Sequence, residues 1–430
     1  MFLEFNVMKE KQNKIDRRNF LKTIGAAGLG SVFASAQVKA GPNEPNAPEK
    51  TQEPKLPQVP RRKLGKTEVD VSCLSLGTIF NVVENQIILR KALQWGVTYW
   101  DTAYGYAGGN SELGIGNFLS KNPDVRKDLF IVSKASEART VADVQKRLQT
   151  SLERMNIKYI DLYYGVHGLD DPAQLTDELK KWAKEAKSRK LIRFFGFSTH
   201  KNMAECLQAA AKLDWIDALM TSYNFRLMQD EKMQAAVEAC HKAGIGIIAM
   251  KTQGLGQELE TDEDKKLAEH FLQRGFTEGQ AKIKIVLKDK RISSACVGRE
   301  NLAHLTLNIA AVLDKTEITQ ADMEVFKQYA EATCSGYCAG CANICKSALS
   351  AGGETSPIGG PDTPYISEIM RYLMYCNSYG EHQEAKQLFA KIPGNVRNKL
   401  LSTDYSSAEA RCPQHLPIGK FIAEAVSKLA

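Results

Sequence analysis

Four residues stand out by type and position: Asp101, Tyr106, Lys134 and His167. Asp101 closes the run Tyr99-Trp100, and Tyr106 follows five residues later. Lys134 closes Ile131-Val132-Ser133, and His167 closes a run that starts at Asp161-Leu162-Tyr163-Tyr164. Each titratable group sits where an apolar run ends, a position that a packed interior does not favour for a charge. A phenol titrates near pH 10, too high for a proton donor at neutral pH. A lysine ammonium beside Tyr106 would lower that value, and an aspartate would hold the lysine charged. A histidine would orient a carbonyl oxygen, so the set could polarise a carbonyl for hydride attack. Singly, Lys134 reads as a surface lysine, His167 as a structural histidine and Asp101 as a helix cap. Three successive run ends with complementary chemistry carry the stronger reading.

A second constellation lies near the C-terminus. Cys338, Cys341 and Cys345 are spaced to bring three thiolates around one centre, and small Ala339, Gly340 and Ala342 let the backbone wrap closely. Cys412-Pro413 supplies a remote fourth ligand, the arrangement of a ferredoxin-type [4Fe–4S] cluster. Structural zinc fits the same four residues, and disulfides fit an exported compartment. Cys334 and Cys376 are left over. Cys73, Cys206, Cys240 and Cys296 lie in apolar contexts and read as buried small hydrophobes.

The elements that must position these residues alternate. Strand-like runs begin near Val71, Thr98, Leu129, Ile160, Ile192, Ala218, Ile245 and Ser293, and amphipathic helices separate them. Val141, Val144, Leu148, Leu152 and Met155 fall on one helical face, with Thr140 at the N-cap and Asp143 three residues on. Gly244 stops another helix before Ile245. Eight such units suit a closed parallel barrel, whose site lies at the C-terminal strand ends. A doubly wound open sheet competes, but no Gly-x-Gly-x-x-Gly follows the first strand.

Asp16-Arg17-Arg18-Asn19-Phe20-Leu21-Lys22 before a Gly/Ala-rich run reads as a twin-arginine export signal. Residues 1–40 are then the signal, 41–60 a Pro-rich linker, 61–315 the barrel and 316–430 a helical extension. The chain has 430 residues, 43% hydrophobic and 25% charged, which excludes global disorder. The net charge of +7 carries no basic stripe interleaved with aromatics, so no nucleic-acid partner is expected. No stable membrane span is expected either.

Arg62-Lys63-Leu64-Gly65-Lys66-Thr67, Leu76-Gly77-Thr78, Asp101-Thr102-Ala103 through Tyr106, Asn110-Ser111-Glu112, Gly196-Phe197-Ser198-Thr199 and Val297-Gly298 with Asn308 occur in that order. Over roughly residues 60–315 the chain resembles the aldo-keto reductases. The resemblance implies an α/β fold, a (β/α)8 TIM barrel, that reduces aldehydes and ketones with NADP or NAD. It makes Tyr106 the general acid/base, tuned by Asp101 and Lys134, with His167 orienting the carbonyl. It implies cofactor contacts at Ser198, Thr199, Gly298, Arg299 and Asn308. Met220 stands where the family usually has Gln, Thr199 where Asn is usual, and Met250 where an aromatic often stacks on the nicotinamide. His304 and Leu307 also depart from the usual residues.

The tail resembles the α-helical ferredoxin-like iron–sulfur extension of a subgroup that also carries a twin-arginine signal, through Met370-Arg371-Tyr372-Leu373-Met374-Tyr375 and Asn377-Ser378-Tyr379-Gly380. That implies one 4Fe-4S cluster, the twin-arginine export machinery as a partner, a redox partner and an extracytoplasmic location. Two functions follow: an exported carbonyl oxidoreductase acting on a small carbonyl substrate, or an electron-transfer module on a retained barrel with no soluble nicotinamide.

Overall fold

The apolar run that begins near Val71 does not form one strand. The computed structural model describes residues 56–256, 262–298, 301–350 and 365–430, and in it the run breaks at Cys73. β1 (Arg61–Lys63) and β2 (Asp70–Ser72) pair antiparallel as a hairpin. The Cys73 amide still donates to Pro60 of the hairpin, while its carbonyl accepts from Ala295. The residue thus passes the chain from one ladder to the next, and β3 (Leu74–Gly77) opens the barrel.

The remaining barrel strands are β4 (Tyr99–Asp101), β5 (Phe130–Lys134), β6 (Ile160–His167), β7 (Ile192–Thr199), β8 (Ala218–Ser222), β9 (Gly246–Met250) and β10 (Ile292–Val297). Each pairs parallel with the next, and β10 closes onto β3. The closed parallel barrel excludes the open sheet. Between the strands run α1 (Gln86–Gln94), α2 (Asn110–Lys121), α3 (Val141–Met155), α4 (Asp177–Ser188), α5 (Met203–Ala210) and α6 (Glu231–Lys242). α7 (Asp262–Gln273) and α8 (Glu278–Lys288) precede β10, and α9 (Leu302–Leu313) follows it.

α3 illustrates why these helices form. Thr140 accepts from the Asp143 amide at 3.1 Å, and Asp143 accepts from the Thr140 amide at 3.0 Å, a reciprocal cap. Val144, Leu148, Leu152 and Met155 face the barrel and are buried, each side chain contributing about 1.5–3 kcal/mol when fully covered. Inside the barrel, Tyr99, Phe130, Val132, Leu162, Tyr164, Met220 and Ile248 pack together with Leu64 of the hairpin. The hairpin is therefore a plug at the N-terminal end. Gly196 on β7 has no room for a side chain, because a Cβ there would run into the Ala218 carbonyl oxygen.

α10 (Gln320–Ala332) shares the barrel's outer core through Phe326, stacked 5.0 Å from Phe225 and 4.8 Å from Phe271. Beyond it come α11 (Ala342–Ser350), α12 (Tyr365–Asn377), α13 (His382–Ala390), α14 (Gly394–Arg397), α15 (Ser406–Arg411) and α16 (Ile418–Leu429). They enclose a second apolar core around Ile369, Leu373, Phe389, Phe421 and Ile422. The unit is helical, as expected, but it is not a ferredoxin-like iron–sulfur appendage. Among the described residues no group of three or more His, Cys, Asp or Glu side chains is placed to hold a metal ion.

The segment from Thr333 onward docks on the C-terminal face of the barrel. Lys201 after β7 pairs with Glu368 of α12, and Ser378 donates to the Gly256 carbonyl. Asn224 donates to the Tyr337 hydroxyl at 3.0 Å and Arg226 to the Thr333 hydroxyl at 2.8 Å. Gly256 lies so near the Gly336 carbonyl that a Cβ would collide with it. The expected signal at 1–40 and most of the linker lie outside the described residues. Among the described residues no helix is long and apolar enough to cross a membrane.

Candidate active site at the barrel mouth

The C-terminal strand ends bring the four expected residues to one mouth. Asp101 is the last residue of β4 and Lys134 the last of β5. Lys134 donates to Asp101 Oδ2 at 2.6 Å and to the Thr102 carbonyl at 2.8 Å. Both side chains are almost wholly buried, at 1% and 3% exposure, so each charge depends on the other. Burial pushes the Asp101 carboxyl above its usual range, with the lysine opposing that shift. Asp101 Oδ1 has no hydrogen-bond partner among the described residues.

Tyr106 lies on the loop after β4. The Tyr104 amide donates to the Lys134 carbonyl, and the Gly105 amide to Ser136 Oγ at 3.2 Å. Arg154 of α3 holds the Tyr104 carbonyl at 2.7 Å. Ala107 takes a left-handed φ of 48°, a conformation a non-glycine residue adopts only where its surroundings fix it. The loop thus sets the ring, with Lys134 Nζ 4.7 Å from its centroid and the His167 ring 5.9 Å away, edge to face. The phenol does not titrate as the sequence led us to expect. Burial, then the Asp101 charge, raise it well above the usual value of 10, and Arg371 opposes them. Desolvation of a phenolate outweighs the nearby cations, so Tyr106 is held as a protonated donor.

His167 ends β6. Burial first, then the charges of Lys134 and Arg371, lower its pKa to about 3. The ring is neutral at any ordinary pH. Its Nδ1 lies 2.9 Å from Ser136 Oγ. In the tautomer in which that hydroxyl donates to Nδ1, the ring hydrogen sits on Nε2.

Five further residues border the mouth that sequence reasoning did not assign. Lys251 directly follows β9 with φ of 55°. His200 follows β7, its Nδ1 3.5 Å from Ser222 Oγ. Arg371 and Tyr375 come from α12, one turn apart. Lys251 Nζ is 4.8 Å from the Tyr375 ring centroid, and Arg371 Cζ 5.8 Å from it. His200, Ser222, Lys251 and Arg371 line a recess with about 560 Å³ of empty space, part of it open to solvent. The signal for Lys251 and His200 was the same one that found Lys134, a titratable residue at a strand end.

The residues expected to touch a nicotinamide are scattered around the same face. Ser198, next to last in β7, pairs with His167 across the ladder. Its buried hydroxyl has no hydrogen-bond partner among the described residues, which suits it to an incoming amide. Thr199 spends its hydroxyl on the Lys201 carbonyl at 2.9 Å. Gly298 is exposed just after β10. Asn308 is partly buried on α9. Arg299 lies outside the described residues. Met220 is buried in the barrel interior. The amide end of the cofactor fits at Ser198.

The cysteine expectation is corrected. Cys338, Cys341, Cys345 and Cys412 do line one small cavity, with Ile366, Met370, Leu416 and Ile418. They are free thiols, and the described residues offer no metal-holding group. Burial raises the Cys338 and Cys341 thiols and pushes Cys345 up to about 12. The 4Fe-4S cluster, the zinc alternative and the disulfides are set aside.

Solved structures show the same barrel. An aldo-keto reductase of Bacillus halodurans in its holo form superposes with a TM-score of 0.54 at 20% identity, covering 63% of this chain and 96% of that one. A thermostable aldo-keto reductase bound to the inhibitor epalrestat gives 0.51 at 24% identity, covering 63% and 99%. The whole of each relative is matched, and about a third of this chain has no counterpart in it. Residues 75–330 match the aldo/keto reductase family. The subgroup expectation is withdrawn in its iron–sulfur part, because the described residues offer no metal-holding group, and its export signal lies outside the described residues. With the family's sequence pattern running through β3 to β10 and the four strand-end residues at one mouth, the chain belongs to the aldo/keto reductase family.

Proposed function

We propose that the chain reduces an aldehyde or ketone to the alcohol, or runs the reverse oxidation, with Tyr106 as the general acid/base. The observation that supports this most is the meeting of a protonated phenol, a buried Lys134–Asp101 pair and a neutral His167 at one mouth. A nicotinamide, NADP or NAD, would supply the hydride, with its amide end at Ser198 and further contacts at Thr199, Gly298, Arg299 and Asn308. The substrate carbonyl oxygen accepts hydrogen bonds from Tyr106 Oη and His167 Nε2, which draws electron density from the carbonyl carbon. As the carbon gains the hydride pair, the oxygen takes the Tyr106 proton. The phenolate left behind lies beside the Lys134 ammonium. Asp101 keeps that ammonium charged and fixed.

Tyr106→Phe tests the reading. The variant keeps the ring and loses only the acid, so turnover should fall by about 10²–10⁴-fold with near-ultraviolet circular dichroism unchanged. Undiminished turnover in the folded variant would sink the mechanism.

A further inference from the structure

The barrel mouth carries more positive charge than its carbonyl chemistry needs. Lys134 is matched by Asp101, and Lys201 by Asp170 and Glu368. Lys251 and Arg371 have no carboxylate within ion-pair distance among the described residues. Glu381 acts on Lys251, and Glu368 on Arg371, only through space. Their close neighbour is Tyr375, whose ring centroid lies 4.8 Å from Lys251 Nζ and 5.8 Å from Arg371 Cζ. Even if the Tyr375 hydroxyl ionised, it would offer one negative charge to two cations. Partly buried cations with no carboxylate partner among the described residues are costly. An anionic ligand removes that cost.

The geometry is that of a holder. The left-handed backbone of Lys251, with φ of 55°, is the kind of strain that persists at ligand sites. Arg371 lines the recess and also acts electrostatically on Tyr106 and His167. Its charge thus reaches from the recess to both groups. The field is strong enough to keep His200 neutral, since Lys251 and Arg371 add to burial in lowering it well below its usual value. Ser222 Oγ borders the same space as a further donor.

We propose that Arg371 and Lys251 grip a carboxylate of the substrate, so that the compound reduced at Tyr106 is an oxo acid. This rests on the carbonyl-reductase reading given above. A guanidinium suits a carboxylate because its fork can meet both oxygens. A phosphate of the cofactor has the same oxyanion chemistry and could use the same cations.

Calorimetric titration of the full chain separates these cases. The probes are 4-carboxybenzaldehyde, its neutral methyl ester and inorganic pyrophosphate. The acid should bind at least tenfold tighter than the ester, and Arg371→Gln should remove that advantage. Lys251→Met should do so in part, and serves if the arginine variant fails to fold. Equal binding of acid and ester to the native chain overturns the proposal. So does a variant that loses pyrophosphate but keeps the acid, because the cations then serve the cofactor. Reduction is followed separately. If the acid binds through Arg371 yet neither aldehyde is reduced, the carbonyl-reductase reading fails and the anion site stands.

Discussion

At the scale of single residues, the mouth is controlled by what burial does to charge. Lys134 and Asp101 are kept ionic only by each other, so Lys134→Met should cost about 3–5 kcal/mol in denaturant unfolding, as breaking a buried pair does. His167 gives a pH signature. An unfolded histidine titrates near 6.5, whereas the folded ring stays neutral to about 3. Between those values the unfolded chain binds the extra proton, so stability falls as the pH drops from about 6.5 toward 3. His200 acts in the same direction. His167→Gln should therefore flatten the fall of Tm with pH across that window. Asp101, Lys134 and His167 were legible because each interrupts an apolar run at its end, and Tyr106 because it follows Asp101 in the resemblance. Arg371 and Tyr375 were not, because on an amphipathic helix an arginine looks like any solvated cation. Their place over Tyr106 is set by α12 docking, which no local pattern encodes.

At the scale of elements, the strands and helices follow from alternation and capping, and there the sequence was most informative. The Thr140 cap is a direct case. Thr140→Ala should cost about 1 kcal/mol in urea unfolding, since it removes one half of the reciprocal pair. The run near Val71 was misjudged because apolar content cannot tell a two-ladder segment from one strand. The break at Cys73 depends on hydrogen bonds to Pro60 and Ala295, residues distant along the chain or in another element. The cysteine motif failed for a related reason. Spacing brings four sulfurs to one cavity, but holding a metal requires them to converge around a point, and chain spacing does not specify that.

At the scale of the whole molecule, two cores meet at one face. The Lys201–Glu368 pair and the Ser378–Gly256 bond fasten α12 over the mouth. Glu368→Gln leaves Lys201 with Asp170 alone and should loosen that contact. Hydrogen exchange across Tyr365–Asn377 should quicken while the barrel strands hold their protection. Unchanged exchange would mean that this pair does not secure the helix.

The roof of the mouth is contributed by residues numbered in the 370s, while Asp101, Tyr106, Lys134 and His167 all precede residue 168. A chain emerging from the ribosome therefore has the acid and its lysine long before it has the groups that would choose a substrate. Contacts such as Lys201 with Glu368 span 167 positions, so they wait until α12 has been made. On the reading proposed above, discrimination between substrates is a property of the completed polypeptide, and a nascent or truncated barrel would have the reagents without the gatekeeper.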